Sequence, residues 1–271
     1  NLPKIVTTLD RWRFALVAFA VLMTVVAVGV LSSSSDESSS EIANPDVVVD
    51  SSLVPLITVP LERTLELGMK GDDVLRLQQR LKDLKFDPGP VDGEFGQNTV
   101  QAMWAFEKLV LGVPREKATG VVNQSTWATM QQNLVIKPRR IADTATHVEV
   151  YLPEQVLIVF TNQEPVLISH ISSGTGEMWC EEVKIDPGEE GNENGTEPIY
   201  EGWCGSAITP GGLYYFYNRK SGTRQSKLGT MWNPVYFNGG IAVHGAAQVP
   251  NAPASHGCVR IPMHVSEYFQ T

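Results

Sequence analysis

The sequence predicts a multidomain chain: an N-terminal transmembrane helix, a small all-α module of three helices, and a mainly-β sandwich domain. Three observations predict it. Residues Phe14 to Leu31 form an uncharged run of 18 residues, FALVAFAVLMTVVAVGVL. Between residues 72 and 130, apolar side chains recur at helical spacing. From His147 onward the pattern alternates with period two and is rich in Val, Ile, Tyr and Phe. The 271 residues suit two domains, and 42% hydrophobic content excludes a wholly disordered chain. A net charge of −9 excludes nucleic-acid binding through a basic surface, so no nucleic-acid partner is expected.

At ~1.5 Å per residue the apolar run spans ~27 Å, close to a bilayer core of ~30 Å. Lys4, Arg11 and Arg13 precede it, and Asp36 and Glu37 follow closely. The positive-inside bias then puts residues 1–13 in the cytoplasm and everything after Leu31 outside, a single-pass anchor (14–31) holding the rest at the cell exterior. A buried core helix and a cleaved signal peptide compete with this reading, but VGVLSSSS offers the latter a poor cleavage site. Residues 32–60 carry five acids, no base and a run of serines, which predicts a disordered stalk. The chain starts at Asn1 and stops at Thr271 inside an expected helix, so it is expected to be a fragment at both ends.

Residues 61–135 predict the helical module. Asp72 or Asp73 can cap a helix with Val74, Leu77, Leu81 and Leu84 on one face, ended by Pro88-Gly89-Pro90. Asp92-Gly93 predicts a turn into a second helix striped by Thr99, Val100, Met103 and Phe106. A third starts near Asn123 and carries Trp127 and Met130. DGEFGQNTVQAM (Asp92–Met103) and TGVVNQSTWATM (Thr119–Met130) align without a gap, which predicts two copies of one turn-plus-helix unit. Residues 136–147 read as a linker. From His147 onward come the period-two runs HVEVYL, QVLIVF, EPVLISHISS, GGLYYFY, NPVYF and GGIAVHG, with one closing helix in PMHVSEYFQT, and residues 148–271 read as the β domain.

The chemistry concentrates in IAVHGAAQVPNAPASHGCVRIP, Ile241 to Pro262. It presents one thiol, Cys258, near two imidazoles, His244 and His256. A free thiol is only a few per cent ionised at neutral pH, so a histidine that takes its proton raises its nucleophilicity. His256 and Arg260 each lie two residues from Cys258, on the same face of an extended chain. His244 must reach across from a preceding strand. Arg260 can meet a carboxylate, and amides around Gly257 can line an oxyanion hole. A zinc site would use His244, His256 and Cys258, but no fourth-ligand spacing accompanies them, so no metal is expected.

Two resemblances follow from these strings. GDDVLRLQQRLKDL and DGEFGQNTVQAMWAFE resemble the peptidoglycan-binding domain type 1, with Glu107 where that family usually has Gln; wall-polymer binding is implied. His244-Gly245 followed by Ser255-His256-Gly257-Cys258-Val259-Arg260 closely resembles the signature of L,D-transpeptidases (the YkuD family), supported by ISSGTG, ITPGGLYYF and MWNPVYFNGGIAVHG upstream. That resemblance implies an L,D-transpeptidase-like fold over 148–271, lacking the strand that usually follows the last helix. It implies Cys258 as nucleophile, His244 as general base, and amides of the His256–Cys258 turn, Gly257 included, as the oxyanion hole. His256 would orient the turn and share in proton handling. Arg260 and Ser255 complete the substrate-binding set, Arg260 placing a carboxylate and Ser255 serving chiefly as a brace. The substrates implied are peptidoglycan stem peptides on their glycan, joined in 3→3 crosslinks through a Cys thioester, with no cofactor. Water as acceptor would make the enzyme an L,D-carboxypeptidase. A protein acceptor would make it a protein-to-wall attaching enzyme, and loss of turnover would leave a wall-binding protein.

Cys180 and Cys204 flank a segment of eight acids and one lysine, net −7. Outside the membrane their pairing in a disulfide leaves Cys258 free. Asp186, Glu189, Glu190 and Glu193 lack EF-hand spacing, so a solvated acidic loop is expected rather than a calcium site. His147, His170 and His264 are expected in strands or at the surface.

Overall fold

The computed structural model describes residues 44–52, 59–189 and 191–271. The expected cytoplasmic segment, the anchor and most of the stalk lie outside these residues. Among the described residues no helix is long and apolar enough to cross a membrane.

The elements run β1 (Val47–Val49), α1 (Asp72–Asp83), α2 (Gln97–Leu109), α3 (Gln124–Met130), β2 (Leu134–Ile136), β3 (Thr146–Tyr151), β4 (Val156–Thr161), β5 (Glu164–His170), β6 (Met178–Ile185), β7 (Ile199–Ser206), β8 (Asn218–Arg219), β9 (Thr223–Ser226), β10 (Gly229–Asn238), β11 (Ile241–Ala246), β12 (Val259–Pro262) and α4 (Met263–Phe269). Antiparallel β3-β4-β5 forms one sheet. A second runs β12-β11-β10-β8, with β9 also on β10, and β6-β7 is a separate hairpin.

Period-two alternation makes β3-β4-β5 a middle layer. Val156, Ile158 and Phe160 of β4, with Ile168 of β5, pack into the helical core beside Phe86, Met103 and Phe106. Leu157, Val159 and Leu167 face the other way, onto Val243, Val259, Ile261 and Val265. The helical module and the β domain therefore share one sheet as their common wall. Phe86 bridges Ile168 in parallel, and the Ile168 amide donates to Lys85 at 2.8 Å.

That sharing corrects several sequence expectations. A segment of the expected stalk is ordered: β1 pairs with β2, because Val47-Val48-Val49 is a β-branched triplet facing Leu134-Val135-Ile136. The expected linker is held too. Arg139 pairs with Asp46 and Glu154, each at 2.6 Å, and the Arg139 amide donates to Glu149 at 2.9 Å. GGLYYFY is not a strand, and regular pairing begins only at Asn218; Leu213 and Tyr215 are exposed there without a partner strand. Gly71, not Asp72 or Asp73, stands at the start of α1, with both aspartates in its first turn. Asn123 does cap α3, its Oδ1 accepting the Thr126 amide at 2.9 Å.

The two repeat units match in three dimensions. Gly93 and Gly120 have φ +77° and +74°. Thr99 and Thr126, and Met103 and Met130, are buried in pairs. Helix α2 is buried on nearly every side because it lies between α1 and the middle sheet. Glu107 is buried there and accepts from the Gly120 amide at 2.8 Å and from Thr119 Oγ1 at 2.9 Å.

Candidate active site

Strand β12 runs parallel to β11, with Val243 opposite Val259 and His244 opposite Arg260. Alternation sends Val243, Val259 and Ile261 into the core. It places Ala242, His244, Arg260 and, one residue before the strand, Cys258 on the other face. The register thus brings together the thiol and the imidazole that are 14 residues apart in sequence. Helix α4 holds this arrangement from behind. A Cβ on Gly245 would fall 2.3 Å from Ser266 Oγ, so only glycine lets the helix seat against the strand that carries His244.

Cys258 is the free cysteine and is half-buried. Its Sγ sits in a backbone cradle, 3.9 Å from the Gly240 carbonyl and accepting from the Ala242 amide. Burial pushes the thiol up, opposed by that amide and by the positive charge of Arg260. His244 is buried, with Nδ1 2.9 Å from the Gly245 carbonyl. A carbonyl only accepts, so Nδ1 carries the proton and Nε2 keeps its lone pair. Burial pushes the His244 pKa down, and Arg260 adds to this, while the Gly245 carbonyl opposes it. Both shifts favour the neutral forms, so the resting pair is thiol and imidazole rather than an ion pair. No hydrogen bond joins Sγ to His244 among the described residues. Such loose geometry is common before substrate binds.

The turn between the histidines and the thiol is braced from inside. Ser255 Oγ donates to the Cys258 carbonyl at 2.5 Å and accepts the Gly257 amide at 3.0 Å. Ser255 is 3% exposed with its hydroxyl engaged on both sides, the bracing role chiefly expected of it. One expectation is corrected. The Gly257 N–H points at that hydroxyl and is not free for an oxyanion. Gly257 itself is demanded by the backbone: its φ is +134°, and a Cβ would stand 2.9 Å from the Ile208 carbonyl oxygen. Thr209 Oγ1 donates to the Gly257 carbonyl at 2.7 Å, and Ser172 exchanges backbone hydrogen bonds with Arg260 at 2.9 and 3.0 Å.

His256 does not reach toward the sulfur. Its Nε2 lies 2.9 Å from Glu181 Oε1, and its ring meets Trp179 edge-on at 4.7 Å between centroids. Both partners come from the hairpin β6-β7, where Cys180 faces Cys204 across the strands and is joined to it by a disulfide. Sequence reasoning missed Glu181 and Trp179, because nothing local marks a contact across 75 residues. Arg260 makes no ion pair among the described residues and so keeps its guanidinium available beside the thiol. In the acidic loop, Glu189 is engaged by Lys227 and accepts the Asp186 amide at 2.7 Å.

Of the remaining histidines, His147 and His170 lie in strands β3 and β5 as expected, whereas His264 lies in α4 and is partly buried. His170 is 1% exposed: Nδ1 lies 2.8 Å from Lys108 Nζ, and Nε2 lies 3.1 Å from the Pro250 carbonyl. Lys108 also donates to Asn251 at 3.1 Å, so one lysine of the helical module ties down the loop ahead of the catalytic turn. Burial pushes Lys108 down to about 7 and His170 down to about 3. His147 stacks on Phe160 at 5.2 Å, and His264 lies 3.7 Å from Asp87.

Comparison with known proteins matches this architecture. Residues 145–271 match the L,D-transpeptidase catalytic domain, and residues 70–130 match a peptidoglycan binding domain. The crystal structure of an L,D-transpeptidase from Xylanimonas cellulosilytica is 34% identical, with TM-score 0.62, over 78% of this chain and 92% of that one. An L,D-transpeptidase structure from Stackebrandtia nassauensis is 20% identical, with TM-score 0.38, over 79% of this chain and 91% of that one. The carboxy-terminal processing protease CtpB of Bacillus subtilis is 34% identical over 74 residues, 27% of this chain. The chain spans only 15% of that protease's length.

Proposed function

Because this chain belongs to the L,D-transpeptidase family, we propose that it joins peptidoglycan stem peptides by acyl transfer through Cys258. His244 Nε2 takes the thiol proton as Sγ attacks the carbonyl of the third stem residue. The tetrahedral oxyanion collapses, the bond to the terminal D-alanine breaks, and His244 returns the proton to the leaving amine. A thioester remains on Cys258. The side-chain amine of a second stem then attacks it, gives a proton to His244, and releases the sulfur with a 3→3 crosslink formed. The amide of Cys258 is the oxyanion donor, worth about 3 kcal/mol if well placed. Arg260, without a carboxylate of its own, takes one from the substrate. The helical module holds the enzyme on the wall polymer.

The observation that carries this reading is the shared sheet face. It offers a cradled thiol and an imidazole whose Nδ1 is committed to a carbonyl, leaving Nε2 free to accept. We further propose that Phe14–Leu31 anchors the chain with the catalytic part outside the membrane. The Cys180–Cys204 disulfide supports an oxidising exterior.

Intact-mass measurement with a tetrapeptide stem tests the reaction. An adduct of the tripeptide acyl group is expected on the wild type and none on Cys258→Ala. His244→Asn is expected to form it about 100-fold or more slowly. An adduct that survives in Cys258→Ala would end the proposal. Products separate the acceptors: crosslinked dimers mean transfer, and free tripeptide means hydrolysis.

A further inference from the structure

The hairpin Met178–Ser206 reaches the catalytic turn at one place. Trp179 packs over Gly205 of the facing strand and presents its edge to His256 at 4.7 Å, and Glu181 Oε1 stands 2.9 Å from His256 Nε2. These two side chains flank Cys180, which the disulfide fixes opposite Cys204. A carboxylate only accepts, so the imidazole proton faces Glu181 and the ring is oriented from outside the turn. From inside, Ser255 and Thr209 hold the same turn by its amide and carbonyls. The four residues Ser255 to Cys258 are thus clamped between an internal brace and a stapled strap.

We infer that Glu181 is a positioning residue for acyl transfer, acting through His256. The carboxylate orients the imidazole, Trp179 closes its other side, and together they hold the Cys258 amide and sulfur in the one arrangement the reacting carbonyl needs. A misplacement of about 1 Å at such a site costs on the order of 100-fold in rate. Glu181 touches no substrate in this account. Its loss should therefore lower kcat and leave KM in place. The inference rests on the acyl-transfer reading above and adds to it the acidic, disulfide-closed insertion.

The test compares Glu181→Ala and Glu181→Gln with wild type in the full chain. Glu181 is at the surface, so both variants are expected to fold. Glu181→Ala should lower the rate of acylation by the tetrapeptide at least tenfold with KM changed less than twofold. Glu181→Gln keeps an acceptor oxygen and should recover most of that loss. Amide hydrogen exchange of the peptide covering 255–260 should rise several-fold in Glu181→Ala, while iodoacetamide alkylation of Cys258 stays within twofold of wild type. An unchanged kcat, or a change in KM alone, would overturn the inference while acylation by the wild type leaves the reading beneath it standing. If the wild type forms no acyl-enzyme, that reading fails, and exchange decides the clamp. Unchanged exchange in Glu181→Ala would sink it, and increased exchange would support it.

Discussion

At Cys258 and His244, burial acts on two groups in opposite directions and leaves both uncharged. The thiol is pushed up and the imidazole down, which favours a protonated sulfur and a neutral ring. In the proposed reaction His244 must be neutral to take the thiol proton. Acylation (kcat/KM) is therefore expected to rise with pH through a transition below 6.5 and to be on its plateau at neutrality. Arg260 lowers the pKa of both groups. Arg260→Gln removes that charge and should move the acid limb upward, toward 6.5. A pH–rate profile of tetrapeptide acylation checks the sign. A limb that moves downward, or stays, would mean that Arg260 does not act on the pair electrostatically. The residues here were legible in advance only as types. His244-Gly245 and Ser-His-Gly-Cys-Val-Arg together announced a thiol and two imidazoles, but not that His256 turns away to Glu181, nor that Ser255 occupies the Gly257 amide. Those outcomes depend on which neighbour wins each hydrogen bond.

At the scale of elements, the hairpin β6-β7 is mostly exposed, and the disulfide joins Cys180 and Cys204 that face each other in its register. A closed loop of about 25 residues stabilises by roughly 3.5 kcal/mol in the chain-entropy model. Cys180→Ala/Cys204→Ala is expected to lose local rather than global stability. Limited proteolysis should cut between 186 and 198 many-fold faster, with the thermal midpoint of the rest nearly unchanged. Equal cutting rates would show that the strand pairing alone holds the hairpin. The element-level reading from periodicity succeeded where a strand has a buried face, as in Val156–Thr161, and failed at GGLYYFY. Aromatic composition there resembles a strand, yet only its last residue, Tyr217, reaches β10, donating to the Tyr236 carbonyl at 3.0 Å, and pairing is a property of two segments.

For the whole molecule, the decisive feature is that β3-β4-β5 has two buried faces. Val156, Ile158, Phe160 and Ile168 rest on the helical module. At about 1.5–3 kcal/mol for each such side chain, that face contributes on the order of 6–12 kcal/mol, comparable to the stability of a whole domain. Residues 145–271 expressed alone are expected to aggregate or to melt far below the full chain, measured by light scattering and calorimetry. A piece that is monomeric, with an unchanged thermal midpoint, would show that the shared wall contributes little. The helical module and the β domain are therefore one folded unit, joined through the β3-β4-β5 sheet.

The sequence by itself determined the order of the parts, the helical and β periods, the pairing partners among three cysteines, and the candidate chemistry. The periods and the candidate chemistry are written in spacing along single stretches of chain, whereas the cysteine pairing followed from the exterior compartment expected for this part. Only the tertiary structure decided that the two parts share a sheet, that residues 47–49 pair with 134–136, that Glu181 and Trp179 contact His256, and that Lys108 contacts Gln155 and Asn251. Those contacts join residues 47 to 143 positions apart. Their reason is physical: a buried polar group must find a partner wherever the packed layers bring one, and no local pattern records which one that will be.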